Sequence, residues 1–213
     1  MMLSMTPIPS KAQDDRKPRY HHGDLRDALI AASRQLLNEQ GAENFSLADA
    51  CRVAGVSTAA PYKHFRDKNE VLKELIIIGM DELRVSGQQA LQSFGPTTLA
   101  GMVAMGQNYV AFAKREPGLF RLMFGRNPVL KSDPVVDTCC KTCFGWVIQS
   151  VAEFCAANRI DRDAPTIAVE LWTFVHGVAS LAIDGDYNKV APGLDTDVLI
   201  ANASPRLLYM DHA

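Results

Sequence analysis

The chain has 213 residues, a formal net charge of −2 and a hydrophobic content of 47%. Because that apolar fraction is ordinary for a globular protein, a wholly disordered chain and a collagen-like repeat are excluded. The near-neutral charge argues against a generally basic nucleic-acid coat but leaves room for a local basic site, since residues 1–74 carry +1 and residues 75–213 carry −3.

The five cysteines have no regular framework spacing, and residues 1–10 show no signal peptide. The longest apolar run, Leu75–Met80, is far shorter than the ~20 residues that span a bilayer. We therefore expect a cytoplasmic protein with reduced thiols and no membrane segment.

The first residues predict an arm followed by a helix. Residues 1–19 are polar and contain three prolines and four basic residues, which is typical of a flexible basic arm. Apolar residues then recur at helical spacing, with Asp24 as the predicted N-cap and Gly41 as the predicted stop.

The next stretch has the pattern of a helix-turn-helix. Ser46 begins a short helix, with Asp49 in capping-box position three residues later. Gly55 permits a positive φ in the turn, and Ser57 caps a third helix that reaches about His64. We expect an inner face and a filled interhelical angle made by small or apolar residues: Leu47, Ala50, Val53 and Val56.

The exposed side of the third helix suits a nucleic-acid surface. Hydroxyls at a helix N-terminus donate to phosphates, short side chains allow close approach to bases, and cations bind the backbone. The candidate contacts are Ser57, Thr58, Ala59, Ala60, Tyr62, Lys63, His64 and Lys68. The same helical geometry also occurs as ordinary packing. Phe65 favours a place in the core over a place on this surface.

The rest of the chain also predicts helices and no strands. Asp67 caps a long fourth helix. Further helices are predicted over 97–115, after Pro117, and over 132–157, 164–184 and 194–208, with a break between Gly125 and Pro128. The fold class is therefore all-α: an N-terminal three-helix unit and a C-terminal helical bundle.

Residues 20–72 resemble the DNA-binding domain of TetR/AcrR-type transcriptional regulators. The resemblance rests on Ala54-Gly55-Val56-Ser57, on Tyr62-Lys63-His64-Phe65 and on Lys68. It implies that the helix from Ser57 to His64 is the recognition helix, that Tyr62, His64 and Lys68 contact backbone phosphates, and that Ser46 caps a helix near another phosphate. Ala60-Pro61 departs from the usual small residue followed by leucine, which bears on the base contacts and not on the fold.

Residues 109–125 and 171–177 are similar to a subgroup of these regulators whose C-terminal domain is named for a Trp-His-Gly signature. The resemblance implies a four-helix dimer interface formed by the 164–184 helix and the last helix. A symmetric dimer suits palindromic operators. We divide the chain into an arm (1–19), a helix-turn-helix domain (20–66) and an effector-binding and dimerisation domain (67–213).

These features predict a ligand-responsive DNA-binding regulator, a repressor released from a palindromic operator by a small-molecule effector. The partners are double-stranded DNA, an apolar or amphipathic effector and a second copy of the chain. Helical bundles hold such ligands in apolar pockets, although residues at this spacing are also plain core. The candidate effector contacts are Phe112, Phe120, Met123, Phe124, Phe144, Trp172 and His176.

The cysteines on the predicted 132–157 helix favour core packing over chemistry. Cys139, Cys140, Cys143 and Cys155 share a helical stripe with apolar residues, and buried cysteine behaves as a small hydrophobe. No zinc-finger spacing occurs, so we expect no metal, with thiol sensing as the alternative.

Catalytic motifs are not found. The sequence has no GxSxG, P-loop, HExxH or GxGxxG in a usable context. We therefore expect no enzyme, no catalytic residue and no cofactor. A helical adaptor or an enzyme that uses the same fold without DNA is the alternative.

Overall fold

The computed structural model describes residues 22–209, and within them it contains ten α-helices and no strand. The all-α fold class is confirmed. The predicted basic arm, residues 1–19, lies outside the described residues. The helices are α1 (His22–Asn44), α2 (Leu47–Ala54), α3 (Lys68–Phe94), α4 (Leu99–Arg115), α5 (Pro117–Phe124), α6 (Pro128–Lys131), α7 (Pro134–Asn158), α8 (Ala164–Ile183), α9 (Asp186–Val190) and α10 (Thr196–Tyr209).

The first helix starts earlier than predicted. The backbone is already helical at His22, so Asp24 lies inside α1 and the predicted N-cap is wrong. A cap residue needs an extended backbone, which Asp24 does not have. Gly41 interrupts α1 as expected: its φ of 80° and ψ of 164° lie outside the helical region, where glycine carries little steric cost.

The second helix has the predicted ends. Ser46 is extended and forms a complete capping box with Asp49, and Gly55 ends the helix at φ 68° and ψ 30°. Leu47 and Ala50 are buried, but Val53 is 46% exposed and its predicted place on the inner face is wrong. The helical repeat of about 3.6 residues turns position 53 away from the face that Leu47 occupies.

The predicted third α-helix is wrong. Only a 3-10 helix, Pro61–Lys63, follows Gly55, and Ser57 makes no cap for it. Proline has no N–H to donate to the Ser57 carbonyl oxygen four residues back. That oxygen instead accepts from Ala60 N at 3.0 Å, and His64 N donates to the Pro61 carbonyl oxygen at 2.8 Å.

The C-terminal helices follow the predicted order, with two additions. Asp67 caps α3 as expected, and the later long helices are capped by Thr98, Asp133 and Asp163. The two short helices α6 and α9 were not predicted. They have four and five residues, which is too few for an apolar repeat to show.

The long helices pack in layers. α3 contacts α1, α4, α5 and α7, while α8 contacts α4 and α7 on the far side, and α10 lies against α4 and α8. One hydrophobic cluster runs from the N-terminal unit into the bundle. α5 lies directly on α1: a Cβ at Gly118 would stand 2.1 Å from the Leu37 carbonyl oxygen, so only glycine allows this approach.

α8 is the one helix in the described part of the chain that is long and apolar enough to cross a membrane by length and composition. Its inner side is buried against α4, α7 and α10. Val169 and Leu181 are 47% and 43% exposed on its outer side. Part of the apolar surface of α8 is therefore uncovered in the single chain.

Candidate nucleic-acid interface and ligand cavity

Most of the predicted DNA contacts lie together on the surface after α2. Ser57, Thr58, Ala59, Tyr62 and Lys63 are all exposed, and Tyr62 has 65% of its surface accessible. They form one short segment with two hydroxyls, a phenol and a cation on its outer side. Hydroxyls, phenols and ammonium groups are the usual donors to phosphate oxygens.

Ser46 and Lys68 lie near the junction of α1 and α2, and both already have partners. Ser46 Oγ donates to Asp49 Oδ2 at 2.7 Å and accepts from Asp49 N at 3.2 Å. Lys68 Nζ donates to the Glu43 carbonyl oxygen at 3.4 Å and lies 4.9 Å from the Phe45 ring centroid. The Lys68 ammonium is therefore held where α1 meets α2.

The remaining predicted contacts are less accessible. Ala60 is half-buried. His64 is also half-buried, and its Nε2 is enclosed without a hydrogen-bond partner among the described residues. A phosphate contact through that nitrogen requires the imidazole to rotate. Phe65 is 4% exposed and belongs to the core, with Arg26 over its ring at 5.4 Å.

Two exposed cations were not among the predicted contacts. Arg52 on the outer side of α2 forms a 3.1 Å ion pair with Asp49, and its side chain is 77% exposed. Arg66 pairs with Glu70, and its side chain is 86% exposed. The outward phase of Arg52 on α2 is the sequence signal that would have found it.

A cavity of about 710 Å³ lies in the bundle between α3, α4, α5, α7 and α8. This volume suits a ligand of drug size. Its wall is mainly apolar and includes several flexible methionines, which adapt to irregular shapes. The methionines and aromatic residues of the wall are Met80, Met102, Met105, Met123, Tyr109, Phe124, Phe144, Trp146 and Trp172.

Five of the seven predicted effector contacts line this cavity: Met123, Phe124, Phe144, Trp172 and His176. The other two do not. Phe112 is fully buried, with Arg115 over its ring at 5.5 Å. Phe120 lies one layer behind the wall, where its ring stacks on His176 with centroids 5.4 Å apart. Helical periodicity places both on apolar faces but does not say which face meets the cavity.

A hydrogen-bonded group of three side chains lines the cavity. Tyr109 Oη and His176 Nδ1 are 2.8 Å apart, and Trp172 Nε1 donates to Tyr109 Oη at 3.2 Å. Burial raises the pKa of Tyr109 and lowers the pKa of His176, so both are neutral at physiological pH. Tyr109 was not predicted, although its helical phase with Met102 and Met105 on α4 is the available signal.

The cysteines of α7 divide between the cavity and the core. Cys140 and Cys143 line the cavity, and Cys143 Sγ–H donates to the Met80 carbonyl oxygen at 3.7 Å. Burial raises the pKa of Cys143 to about 11, so the thiol is protonated at neutral pH. Cys155 is buried in the second hydrophobic cluster. Residues 22–209 contain no group of three side chains suited to a metal ion.

The charged residues of the cavity wall are mostly paired. Lys141 Nζ donates to Asp137 Oδ2 at 2.7 Å, and both residues are exposed, as is Lys131. Arg84 donates to Asp81 Oδ1 at 2.5 Å. The charged residues of the wall therefore lie on α3, α6 and α7.

A polar clamp ties α1 to the start of α5. Asn38 Oδ1 accepts from Gly118 N at 2.9 Å and from Leu119 N at 3.2 Å, so it caps α5 from another helix. Asn38 Nδ2 donates to Glu116 Oε2 at 2.5 Å.

Arg34 completes the clamp. Its guanidinium donates to both carboxylate oxygens of Glu116, at 3.0 and 3.2 Å, and to both of Glu82, at 2.6 and 2.7 Å. The far end of α5 carries Met123 and Phe124, which line the cavity. A single short helix therefore connects the cavity wall with α1.

Comparison with known families gives two matches. The description "Bacterial regulatory proteins, tetR family" applies to residues 29–75, and "Tetracyclin repressor-like, C-terminal domain" applies to residues 102–203. The first match spans α2, the 3-10 helix and the start of α3. The second covers most of the cavity wall.

Curated relatives include nucleoid occlusion factor SlmA. The chain is 30% identical to SlmA of Pectobacterium carotovorum over 173 residues, which are 76% of this chain and 84% of that protein. With SlmA of Vibrio vulnificus, 30% identity extends over 52% of this chain and 56% of the relative. The chain thus spans little more than half the length of several curated relatives that it matches.

Solved structures have the same fold. A protein of unknown function from Rhodococcus sp. RHA1 is 31% identical, with a TM-score of 0.79 over 90% of this chain and 97% of that chain. The Bacillus subtilis transcriptional regulator FadR, solved in complex with stearoyl-CoA, is 13% identical, with a TM-score of 0.70 over 88% of this chain and 100% of that chain. At that identity the FadR likeness concerns the fold alone.

Proposed function

This chain belongs to the TetR family of bacterial regulatory proteins, and on that premise we propose that it is a dimeric transcriptional repressor released from a palindromic operator by a small-molecule effector. No catalytic role is proposed. The expected compartment is the cytoplasm, where the operator and the effector meet.

The segment from Ser57 to Lys63 is proposed to read the operator. Its hydroxyls and the Lys63 ammonium are exposed, as phosphate contacts require, and the small side chains of Ala59 and Ala60 leave space for base edges. Because Pro61 shortens the recognition element to a 3-10 helix, fewer side chains reach the bases than from a full α-helix. Ser46, Tyr62, His64 and Lys68 are assigned to the DNA backbone.

The single observation that carries the effector role is the polar clamp between the cavity and α1. A ligand that displaces Met123 or Phe124 moves α5, and Asn38 passes that movement to α1. Such a ligand binds the two states of the protein differently, which is the thermodynamic requirement for release.

The effector is proposed to be apolar or amphipathic. The cavity has the size of a drug-like ligand and a mainly apolar wall. FadR, which shares the fold, holds stearoyl-CoA. The proposed contacts are Met123, Phe124, Phe144, Trp172 and His176, with Phe112 and Phe120 supporting the wall from behind.

The outer side of α8 is proposed as the dimer interface, together with α10. Val169, Leu181 and Val198 are apolar and exposed there. Two-fold pairing of such faces buries them and places two recognition segments on one side of the dimer. We keep the division into residues 1–19, 20–66 and 67–213, and the Trp-His-Gly subgroup, as part of this proposal.

A second candidate comes from the relatives called nucleoid occlusion factors. In that case the chain binds DNA and acts without an effector. The two candidates differ in one respect: only an effector-controlled repressor loses its DNA when the cavity is filled. An adaptor or an enzyme on the same fold has no need for DNA at all.

The proposal is tested by DNA binding of a charge-reversal variant. Selection from a random DNA pool first gives a bound sequence, which we expect to have two-fold symmetry. Lys63→Glu should then weaken binding to operator and non-specific DNA alike and reduce the salt slope by about 1, because one phosphate contact is lost.

The matched control is Lys189→Glu, which reverses an exposed lysine near the end of α9 and should leave the binding curve unchanged. Equal effects of both substitutions would assign the change to net charge. A purified chain that retains no DNA at low salt would contradict the proposal.

A further inference from the structure

The hydrogen-bonded group of Tyr109, Trp172 and His176 contains one ring nitrogen without a hydrogen-bond partner among the described residues. His176 lines the cavity, and its Nδ1 faces Tyr109 Oη at 2.8 Å. Its Nε2 has no hydrogen-bond partner among the described residues and is not sealed from solvent. A polar atom left open on an apolar wall costs free energy unless water or a ligand satisfies it.

The surrounding hydrogen bonds leave a donor for His176 Nδ1. The Trp172 indole can only donate, and it donates to Tyr109 Oη, so the Tyr109 hydroxyl keeps its own hydrogen to give. With that hydrogen directed at His176 Nδ1, 2.8 Å away, the neutral imidazole carries its hydrogen on Nε2. Phe120 stacks on one side of the ring and Phe124 meets it edge-on, with centroids 5.4 and 5.0 Å away, which holds the imidazole in place.

A second donor on the wall points to the same ligand chemistry. Trp146 Nε1 also has no partner among residues 22–209 and is not sealed off, and an indole N–H cannot accept. Asn108 and Ser204, in contrast, donate to Ser86 Oγ and to the Ile200 carbonyl oxygen. The unused donors therefore call for an acceptor in the ligand.

The charges around the cavity indicate that this acceptor is neutral. Burial lowers the pKa of His176, and two cations of the wall, Arg84 and Lys141, are paired with Asp81 and Asp137. A carboxylate beside a neutral imidazole would be buried without a full counter-charge, and a cation would face N–H donors. A carbonyl oxygen accepts from Nε2 and carries neither penalty.

We propose that the effector is an uncharged, carbonyl-bearing apolar compound whose oxygen accepts a hydrogen bond from His176 Nε2. Tyr109 is a positioning residue that fixes the tautomer. The inference rests on the proposed function, since it takes the cavity to be the effector site.

The test uses matched pairs of probes that differ only in a carbonyl group: fluorenone and fluorene, xanthone and xanthene, and benzophenone and diphenylmethane. The chain has two tryptophans, Trp146 and Trp172, and both line the cavity. Quenching of tryptophan fluorescence in the full chain therefore reports ketone binding, and hydrocarbon binding is measured by competition with the bound ketone. The measured quantity is the ratio of ketone affinity to hydrocarbon affinity within each pair.

His176→Phe keeps the ring stacked on Phe120 but removes the donor. We expect the ratio to fall roughly 10-fold, with hydrocarbon affinity unchanged, because the ketone oxygen loses its partner. His176→Gln, whose amide reaches the Nε2 position, should retain most of the ratio. Tyr109→Phe should lower the ratio less than His176→Phe does, because the hydrogen of the His176 imidazole can then move between Nδ1 and Nε2.

His176→Asn is the second variant in case His176→Phe does not fold, as judged by thermal melting. Its shorter amide reaches the Nδ1 position and Tyr109 but not the Nε2 position. The ratio of ketone to hydrocarbon affinity should therefore fall in His176→Asn as well, whereas it is retained in His176→Gln.

Two results would overturn the inference. One is an unchanged ratio in His176→Phe and His176→Asn. The other is a ratio of ketone to hydrocarbon affinity that falls in Trp146→Phe but stays unchanged in the His176 variants. If none of the six probes binds the unsubstituted chain, the proposed ligand class is wrong and the inference fails, whereas the proposed function is judged separately by the operator-binding measurements described above.

Discussion

At the scale of single residues, buried polar atoms without hydrogen-bond partners show where the fold accepts a loss of stability. Among the described residues, Ser33 Oγ and His64 Nε2 are enclosed without a hydrogen-bond partner. Ser33 lies on the inner side of α1, fully buried next to Leu29 and Leu37. An unsatisfied hydroxyl in such a place lowers stability by about 1–3 kcal/mol.

Replacing Ser33 by alanine should therefore stabilise the protein. We expect Ser33→Ala to raise the free energy of unfolding by about 1 kcal/mol, because an unpaired hydroxyl is removed and alanine favours the helix. Urea unfolding measures the change. The control is Ser150→Ala, at a buried serine whose Oγ donates to the Trp146 carbonyl oxygen at 3.0 Å, and it should not stabilise. A loss of stability in Ser33→Ala would show that the hydroxyl has a partner.

The thiol of Cys143 should react slowly and in a pH-dependent way. Burial raises its pKa to about 11, so the reactive thiolate is scarce at neutral pH. Alkylation by iodoacetamide should be roughly 10- to 100-fold slower than for an unfolded peptide and should accelerate about tenfold per pH unit from about pH 7.5 to about pH 9.5.

Mass-spectrometric peptide mapping follows this reaction, with the urea-denatured chain as the reference. Labelling of Cys143 at the rate of the denatured chain near pH 7.5 would rule out the protected thiol and revive the thiol-sensing alternative. Filling the cavity with a ligand should slow labelling further, since Cys143 lies on its wall.

At the scale of helices, local sequence signals predict where a helix begins and ends better than they predict which helices pack together. Ser46 with Asp49, Gly55 and Asp67 mark ends that the structure has, because capping and positive φ depend on neighbouring backbone only. Pro61 was also visible in the sequence, yet its effect was underestimated. A proline in the first turn of a long helix is harmless, whereas in an element this short it removes a bond that the helix needs.

Two helical glycines distinguish an open surface from a subunit interface. Gly145 in α7 and Gly177 in α8 both have nothing within 4 Å of an added Cβ in the single chain. We expect Gly145→Ala to stabilise the protein by about 0.5–1 kcal/mol, because alanine has the higher helix propensity. Gly177→Ala should instead weaken dimerisation, because the outer side of α8 is proposed to approach a second α8 closely.

Sedimentation velocity over a concentration series measures the dimer, and urea unfolding measures stability. If Gly177→Ala behaves like Gly145→Ala in both measurements, α8 is not part of the dimer interface.

At the scale of the whole molecule, the polar clamp should couple effector binding to DNA release. Asn38→Ala removes the cap on α5 and the bond to Glu116 while leaving the cavity wall intact. We expect effector binding to persist and the effector-induced loss of operator affinity to shrink roughly 10-fold.

Operator affinity is measured with and without the ligand that quenches tryptophan fluorescence. Gln35→Ala is the control, since Gln35 is exposed on the same helix and its side chain donates to Glu39, which lies outside the clamp. Full release by ligand in Asn38→Ala would show that the signal reaches α1 by another route.

Although the caps predicted at Asp24 and Ser57 are wrong, the sequence alone predicted the helical class, the order of the long helices, the caps at Ser46 and Asp67 and the turn after α2. These depend on interactions over a few residues, which composition and spacing record directly. It also placed Phe124, Phe144, Trp172 and His176 on apolar faces, and all four line the cavity.

Which apolar face meets the cavity and which is plain core became visible only in the packed fold. Phe112 and Phe124 look alike in the sequence, but one is enclosed by neighbouring helices and the other is not. Tyr109 and His176 are 67 positions apart, and Arg34 and Glu116 are 82. Helical periodicity reports the phase of a residue on its own helix, whereas a cavity or a clamp depends on how separate helices approach each other, and no local pattern records that.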